Sequence, residues 1–126
     1  MRSLVPVICA VILFAVIGYA AAPFLSVEIQ VSPATIVRDA SCNWVTIHTD
    51  IARSTVEAET VTVRIPGNEL LRNDLYLYSD ACGNLVVKTA FGNVAPYVQP
   101  PSAEIVLTGM TKDGVEFGGS ATVRVK

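Results

Sequence analysis

Apolar and polar residues alternate in segments spread over the last hundred residues of the chain. The first of them, SVEIQV, has valine or isoleucine at every second position and a polar residue between them. Successive side chains of a β-strand point to opposite faces of its sheet, so this alternation predicts strands with one buried and one solvated face. The predicted strands are Ser26–Val31, Trp44–Ile51, Thr60–Ile65, Leu75–Tyr78, Leu85–Lys88, Ala103–Thr108 and Ala121–Lys126.

Turn-forming residues separate these strands. Ser79–Asn84 and Thr111–Gly114 carry the Asp, Asn and Gly residues that hairpin connections favour. The pair Gly118-Gly119 predicts a β-bulge or a switch between sheets, and a single helical turn fits Asn68–Asp74 or Asn93–Tyr97. Seven or eight short strands with a turn every eight to twelve residues or so predict an all-β fold, an immunoglobulin-like antiparallel β-sandwich.

A long apolar run precedes the predicted strands. Leu4–Ala22 contains no charged residue, and its 19 residues would extend about 28 Å as a helix, close to the thickness of a bilayer core. We therefore divide the chain into a hydrophobic helix over residues 1–22 and a β-sandwich domain over residues 23–126. The helix is either a cleaved signal peptide or a retained anchor or filament-core helix. If it is retained, its assembly or anchoring residues are Leu4, Val7, Val11, Phe14 and Ile17.

The charge balance argues against nucleic acid as a partner. The chain has nine Lys and Arg residues, one of which is Arg2 in the apolar leader, so eight basic residues face eleven acidic ones beyond it, a net charge of −3. These charges are scattered singly, with no basic patch that would attract phosphates or anionic lipid.

The cysteines are interpreted by position. Cys9 lies in the leader without the small preceding residue of a lipoprotein signal, which argues against a lipid anchor there. Cys42 and Cys82 belong to the exported part, where an even number of cysteines favours a disulfide. The alternative is that both are buried free thiols.

No motif for catalysis or metal binding is present. His48 is the single histidine and is predicted on the solvated face of a strand, so neither a histidine-based metal site nor an acid–base pair can be assembled. The chain lacks a G-x-S-x-G elbow and a phosphate-binding P-loop. We expect no catalytic residue, no metal, no cofactor and no enzymatic activity.

Three aromatic residues are the candidates for surface binding. Trp44, Tyr76 and Tyr78 are predicted on polar faces of their strands, where rings can stack on a sugar or on the side chains of a partner. Alternatively, they are ordinary strand-forming residues, with Trp44 packed on a disulfide.

Several stretches resemble small immunoglobulin-like modules of exported bacterial and archaeal proteins. They are VSPATI, WVTIHTDI, SDACGNLVVKTAF and EIVLTGMTKDGVEFGGSATVRVK. The resemblance implies a structural or adhesive role. The hairpin Ser79–Asn84 departs from relatives with aspartate-rich hairpins, since it has too few carboxylates for a good calcium site.

The apolar helix joined to a sandwich is similar to archaeal type IV pilins, whose helices bundle into a filament core. The run SLVPVICAVIL carries this likeness, although no Gly-containing processing site precedes it. Two functions follow. The first is a non-enzymatic, pilin-like structural subunit at the cell surface that retains its helix, and the second is a secreted adhesive module whose signal peptide is cleaved. In the second, Phe24–Val31 is expected to be a free first strand that pairs with a neighbour's sheet edge. The expected partners are further copies of the chain, other cell-surface proteins, or the membrane through an uncleaved helix. We expect the protein to be exported across the cytoplasmic membrane and to be extracellular or at the cell surface.

Overall fold

The computed structural model describes residues 23–126. The predicted helix over residues 1–22, with Leu4, Val7, Val11, Phe14 and Ile17, lies outside this range. Within residues 23–126, no helix has the length and apolar character needed to cross a bilayer.

The described part of the chain forms strands arranged in two sheets. The strands are β1 (Phe24–Ser26), β2 (Ile29–Ser32), β3 (Thr35–Ile36), β4 (Trp44–Ala52), β5 (Val56–Ile65), β6 (Asn68–Leu70), β7 (Tyr76–Ser79), β8 (Asn84–Ala90), β9 (Ser102–Thr111) and β10 (Glu116–Val125). The six-stranded sheet has the order β1-β10-β9-β5-β6, with β3 also paired to β10, and the four-stranded sheet has the order β2-β4-β8-β7. Short 3₁₀ helices at Arg72–Asp74 and Ala95–Tyr97 fall within the two segments predicted to hold a turn.

The inward residues of both sheets form one core. Ile47 of β4 and Leu85 of β8 come from the four-stranded sheet, and Ile105, Leu107 and Phe117 come from the six-stranded sheet. Full burial of such side chains contributes about 1.5–3 kcal/mol each. The predicted β-sandwich with a single hydrophobic core is confirmed.

The N-terminal strand is divided between the two sheets, which corrects the prediction of one free strand. Phe24–Ser26 runs parallel to β10, whereas Ile29–Ser32 pairs antiparallel with β4. The chain crosses from one sheet to the other at Val27-Glu28, where the Val27 amide donates a 2.9 Å hydrogen bond to the Gly118 carbonyl. Both halves of the predicted free strand Phe24–Val31 are thus already paired within the molecule. The sandwich is also not wholly antiparallel, because β1 and β3 both run parallel to β10.

The pair Gly118-Gly119 leaves space for the segment that crosses between the sheets, and it forms no bulge. The register between β10 and β9 runs from Glu116 opposite Met110 to Arg124 opposite Ser102 without a shift. A Cβ placed on Gly119 would overlap the Val27 carbonyl oxygen. Glycine is needed at position 119 because the backbone of the crossing segment lies directly against it.

Both predicted hairpins are confirmed, and their turns have clear causes. In the β7–β8 hairpin the Asp80 carboxylate oxygen Oδ1 accepts hydrogen bonds from the amides of Cys82 (2.8 Å) and Asn84 (2.9 Å), and Gly83 adopts a φ of 84°. In the β9–β10 hairpin, Gly114 has the same φ. This left-handed conformation favours glycine.

The two cysteines of the described range are free and exposed, so the predicted Cys42–Cys82 bridge is not formed, and neither is a buried thiol. Cys42 precedes Trp44, which pairs with Ala90, whereas Cys82 precedes Asn84, at the other end of β8. Six steps along β8 separate these ends by roughly 20 Å. A disulfide requires Cα atoms about 4.4–6.8 Å apart. The topology therefore forbids the bridge.

Candidate functional site

The strongest candidate site is a group of aromatic side chains on the outer face of the four-stranded sheet. Trp44 begins β4, and Tyr76 and Tyr78 occupy alternate positions of the edge strand β7. The strand β8 lies between them and places Lys88 directly opposite Tyr76. We call Trp44, Tyr76, Tyr78 and Lys88 the aromatic face.

Three contacts link the three rings and the ammonium group. The Trp44 and Tyr76 rings meet edge to face, with centroids 5.3 Å apart and planes at 89°. The Lys88 Nζ lies 5.8 Å from the centroid of the Trp44 ring and 5.4 Å from that of Tyr78. Edge-to-face contacts and cations over rings are both favourable arrangements. The structure thus brings the three predicted binding residues together and adds a cation between them.

Much of each ring remains accessible to solvent. Tyr76 is 61% exposed, and Trp44 and Tyr78 are each 41% exposed. Aromatic side chains bury large areas when they meet a partner. Their clustering on the outer face of one sheet gives an apolar surface that a partner can cover.

The aromatic face rests on a buried valine that the alternation alone does not reveal. Val86 points to the outer face of β8, opposite His48 of β4 and Tyr78 of β7, yet it is only 1% exposed. The sequence signal was the uninterrupted apolar run Leu85-Val86-Val87, because strands buried on both faces lose their alternation. Val86 is therefore a buried apolar residue on the same outer face as the rings, and it is separate from the main core.

Hydrogen bonds fix the strand β7 at both of its ends. Before the strand, the buried Thr89 hydroxyl donates to the Asp74 carbonyl at 2.9 Å and accepts a bond from the Asn93 side chain at 3.0 Å. After the strand, Asp80 holds the hairpin described above. Tyr76 and Tyr78 are consequently presented on a fixed backbone.

Lys88 has no acidic partner among residues 23–126. The salt bridges within that range join Arg64 to Glu69 at 3.6 Å and Arg72 to Glu59 at 3.8 Å. The rings of Trp44 and Tyr78 are the neighbours that its ammonium group contacts. A positive charge is thus left available at the centre of the aromatic face.

The described residues offer no evident metal-binding cluster. No group of three or more His, Cys, Asp or Glu residues within 23–126 is placed to hold an ion. His48 is exposed on the outer face of β4. The absence of catalytic, metal and cofactor sites stays a prediction.

Comparison with known proteins identifies the fold but no family. No protein-family model and no curated protein matches the chain. A structure concerned with the host cell surface retention of a 1.5-MDa bacterial ice-binding adhesin aligns with a TM-score of 0.50 and 22% identity, over 83% of this chain and 32% of that one. A bacterial immunoglobulin-like domain from the M. primoryensis ice-binding adhesin aligns with a TM-score of 0.49 and 23% identity, over 83% and 100% of the two chains. CopC from Methylosinus trichosporium OB3b aligns with a TM-score of 0.47 and 17% identity, over 77% and 89%.

The alignment with the 1.5-MDa bacterial ice-binding adhesin and the sheet topology agree on the architecture. The described part of the chain is an immunoglobulin-like β-sandwich. At such identities the similarity extends to the fold, and function must be argued from the site.

Proposed function

We propose that this chain is an exported, non-enzymatic adhesive module that binds its partners through the aromatic face. The observation that carries the proposal is the cluster of three exposed rings, two of which contact a lysine that has no acidic partner in the described range. A surface of this composition has the enrichment in tryptophan and tyrosine that is typical of protein interaction sites. The apolar leader over residues 1–22 supports export.

Adhesive function fits both the fold and the shape of the site. The structure of a bacterial ice-binding adhesin aligns with this chain, and an exposed aromatic face on the outside of a sheet suits a partner that is itself a surface. Catalysis would need positioned acids, bases or nucleophiles in an enclosed site. His48, the single histidine, is exposed on an open strand and is poorly placed for that role.

The proposal is tested by binding of the full chain to arrays of cell-surface glycans and proteins. Trp44→Ala and Tyr78→Ala are each expected to weaken binding tenfold or more, as loss of a central aromatic residue typically does. Tyr97→Ala is the matched control, because Tyr97 is 42% exposed and Tyr78 is 41% exposed, but Tyr97 lies in the 3₁₀ helix Ala95–Tyr97 and takes no part in the contacts of the aromatic face. Equal binding by all three variants would reject the proposal, and so would failure of the unmodified chain to bind any array.

A second candidate is a structural subunit that keeps its helix and assembles into a pilin-like filament. The uncharged run Leu4–Ala22 favours it, because the run is longer than a typical signal-peptide core and matches a bilayer in length. Amino-terminal sequencing of the exported protein tests it. A start near Met1 supports the retained helix, a start near Ala21 or Ala22 excludes it, and electron microscopy of the cell surface separates a filament from a membrane anchor.

A further inference from the structure

We propose that β7 accepts an extended segment of a partner protein as an added strand, and that an acidic side chain of this segment reaches Lys88 across Tyr78. The inference rests on the proposed function, because it specifies how a partner would engage the same aromatic face. It also assigns the partner a chemical class: an acidic peptide in extended conformation.

The backbone of β7 is open to pairing on one side. Within residues 23–126, β7 is the last strand of the four-stranded sheet. The Asp80 amide donates to the Asn84 carbonyl, and the bonded pairs of an antiparallel ladder alternate. Counting back from that pair, Tyr78 and Tyr76 are bonded to β8, so Leu77 and Ser79 direct their N–H and C=O groups outward. Two sets of backbone groups are thus available to a partner strand.

The other sheet edges carry features that discourage strand addition, and β7 does not. The strand β2 lies between Glu28 and Pro33, and the three-residue β6 contains Glu69, which is paired with Arg64. The remaining edge is formed by β1 and β3, which are only three and two residues long, and Pro23 directly precedes β1. Charges, prolines and short length are the usual protections of an edge. The strand β7 reads Tyr-Leu-Tyr-Ser, without a charge or a proline and with high β-propensity.

The strand β7 is also held in place by hydrogen bonds within the molecule, without a partner. The Thr89–Asp74 bond holds the entry of β7, and the Asp80 carboxylate holds its exit. Binding by strand addition therefore requires ordering of the partner alone, which lowers the entropic cost of association.

The position of Lys88 determines which partner fits. An added strand would lie two strand spacings from β8, about 9.6 Å away, a gap that an extended lysine and a glutamate side chain span together. The Lys88 ammonium group already lies over the ring of Tyr78, which belongs to the intervening strand β7. A glutamate or aspartate on the outer face of the added strand, opposite Tyr78, would meet the Lys88 ammonium group, whereas a lysine there would be repelled.

The test uses synthetic nonapeptides that alternate threonine and valine, with the central threonine replaced by glutamate or by lysine. They are titrated into the isotope-labelled full chain in detergent micelles and followed by NMR. We expect saturable shifts at the amides of Leu77 and Ser79, and about threefold or more tighter binding of the glutamate peptide. Backbone N-methylation of that peptide is expected to abolish the shifts.

A pair of protein variants provides the matched control. Ser79→Pro removes one outward N–H without removing a bond to β8, and Ser79→Thr retains it, so the proline variant is expected to lose binding and the threonine variant to keep it. Absence of saturable binding, equal affinity for both peptides, or binding unaffected by N-methylation would overturn the added strand. A partner found on the arrays that is lost with Trp44→Ala but kept with Ser79→Pro, a glycan for example, would overturn the added strand while leaving the proposed function standing.

Discussion

Replacement of Gly119 by alanine should destabilise the whole sandwich, because it removes the space in which the chain crosses between sheets. The new Cβ would overlap the Val27 carbonyl oxygen and lie 3.1 Å from the Val27 carbonyl carbon and from Cγ2 of Ile29. Two of these three neighbours are backbone atoms, so rotation of a side chain cannot relieve the clash.

Two opposing effects determine the size of the change. Alanine in a strand is favoured over glycine by roughly 0.5–1 kcal/mol, whereas overpacking typically costs about 1–3 kcal/mol. Steric overlap with a backbone that is paired on both sides of the crossing lies at the upper end of that range. We therefore expect a net loss of about 2–2.5 kcal/mol, which for a domain of this size lowers the melting temperature by roughly 8–20 °C.

Thermal and urea unfolding of the purified protein measure this loss. Gly92→Ala is the matched control, since its Cβ would meet nothing within 4 Å, and it should change stability by less than about 0.5 kcal/mol. Hydrogen exchange gives a local measurement, because the Val27 amide donates to Gly118 and should exchange faster in Gly119→Ala. Equal melting temperatures for the two variants would refute the reasoning.

Three further predictions concern the supports of β7 and the thiols. Thr89→Val should lower the free energy of unfolding by about 1–3 kcal/mol, because it leaves the Asp74 carbonyl without its buried donor; an unchanged urea midpoint would contradict this. Asp80→Ala removes the acceptor of two backbone amides and should cost about 0.5–1.5 kcal/mol, measured by thermal unfolding against Asp80→Asn, which retains an acceptor oxygen. Cys42 and Cys82 should both react with iodoacetamide in the native, unreduced protein, and peptide mapping that finds them joined would disprove the topology.

The alternation of apolar residues predicted the long strands well and the sheet assignment poorly. Trp44–Ile51 was expected and Trp44–Ala52 is found, because burial of every second residue is a local property. The alternation over Ser26–Val31 is unbroken, so it gave no sign that the segment is divided between two sheets. Val27 and Val31 are both buried in the shared core, and the pattern of burial is therefore the same as for a single strand. Strands as short as β3 and β6 carry too few residues to show a period.

Features that depend on neighbours distant in sequence could not be predicted. The glycine pair in β10 was interpreted through its own lack of side chains, whereas its cause is the backbone of Val27. The disulfide was inferred from an even number of cysteines, which carries no information about the ends of a sheet. The sequence predicts Lys88 only as the last residue of the strand Leu85–Lys88, because the register of β4, β8 and β7 is what places its ammonium group between two rings.

The opposite placement of the two free thiols has a mechanical consequence. Cys42 precedes β4 and Cys82 precedes β8, so tension applied between them would run along two antiparallel neighbours in opposite directions. That direction shears the ladder between these central strands, and all of its hydrogen bonds share the load instead of opening one after another. A molecule held at these two points would resist extension through the middle of its four-stranded sheet, and the native cysteines provide the attachment points for measuring that resistance.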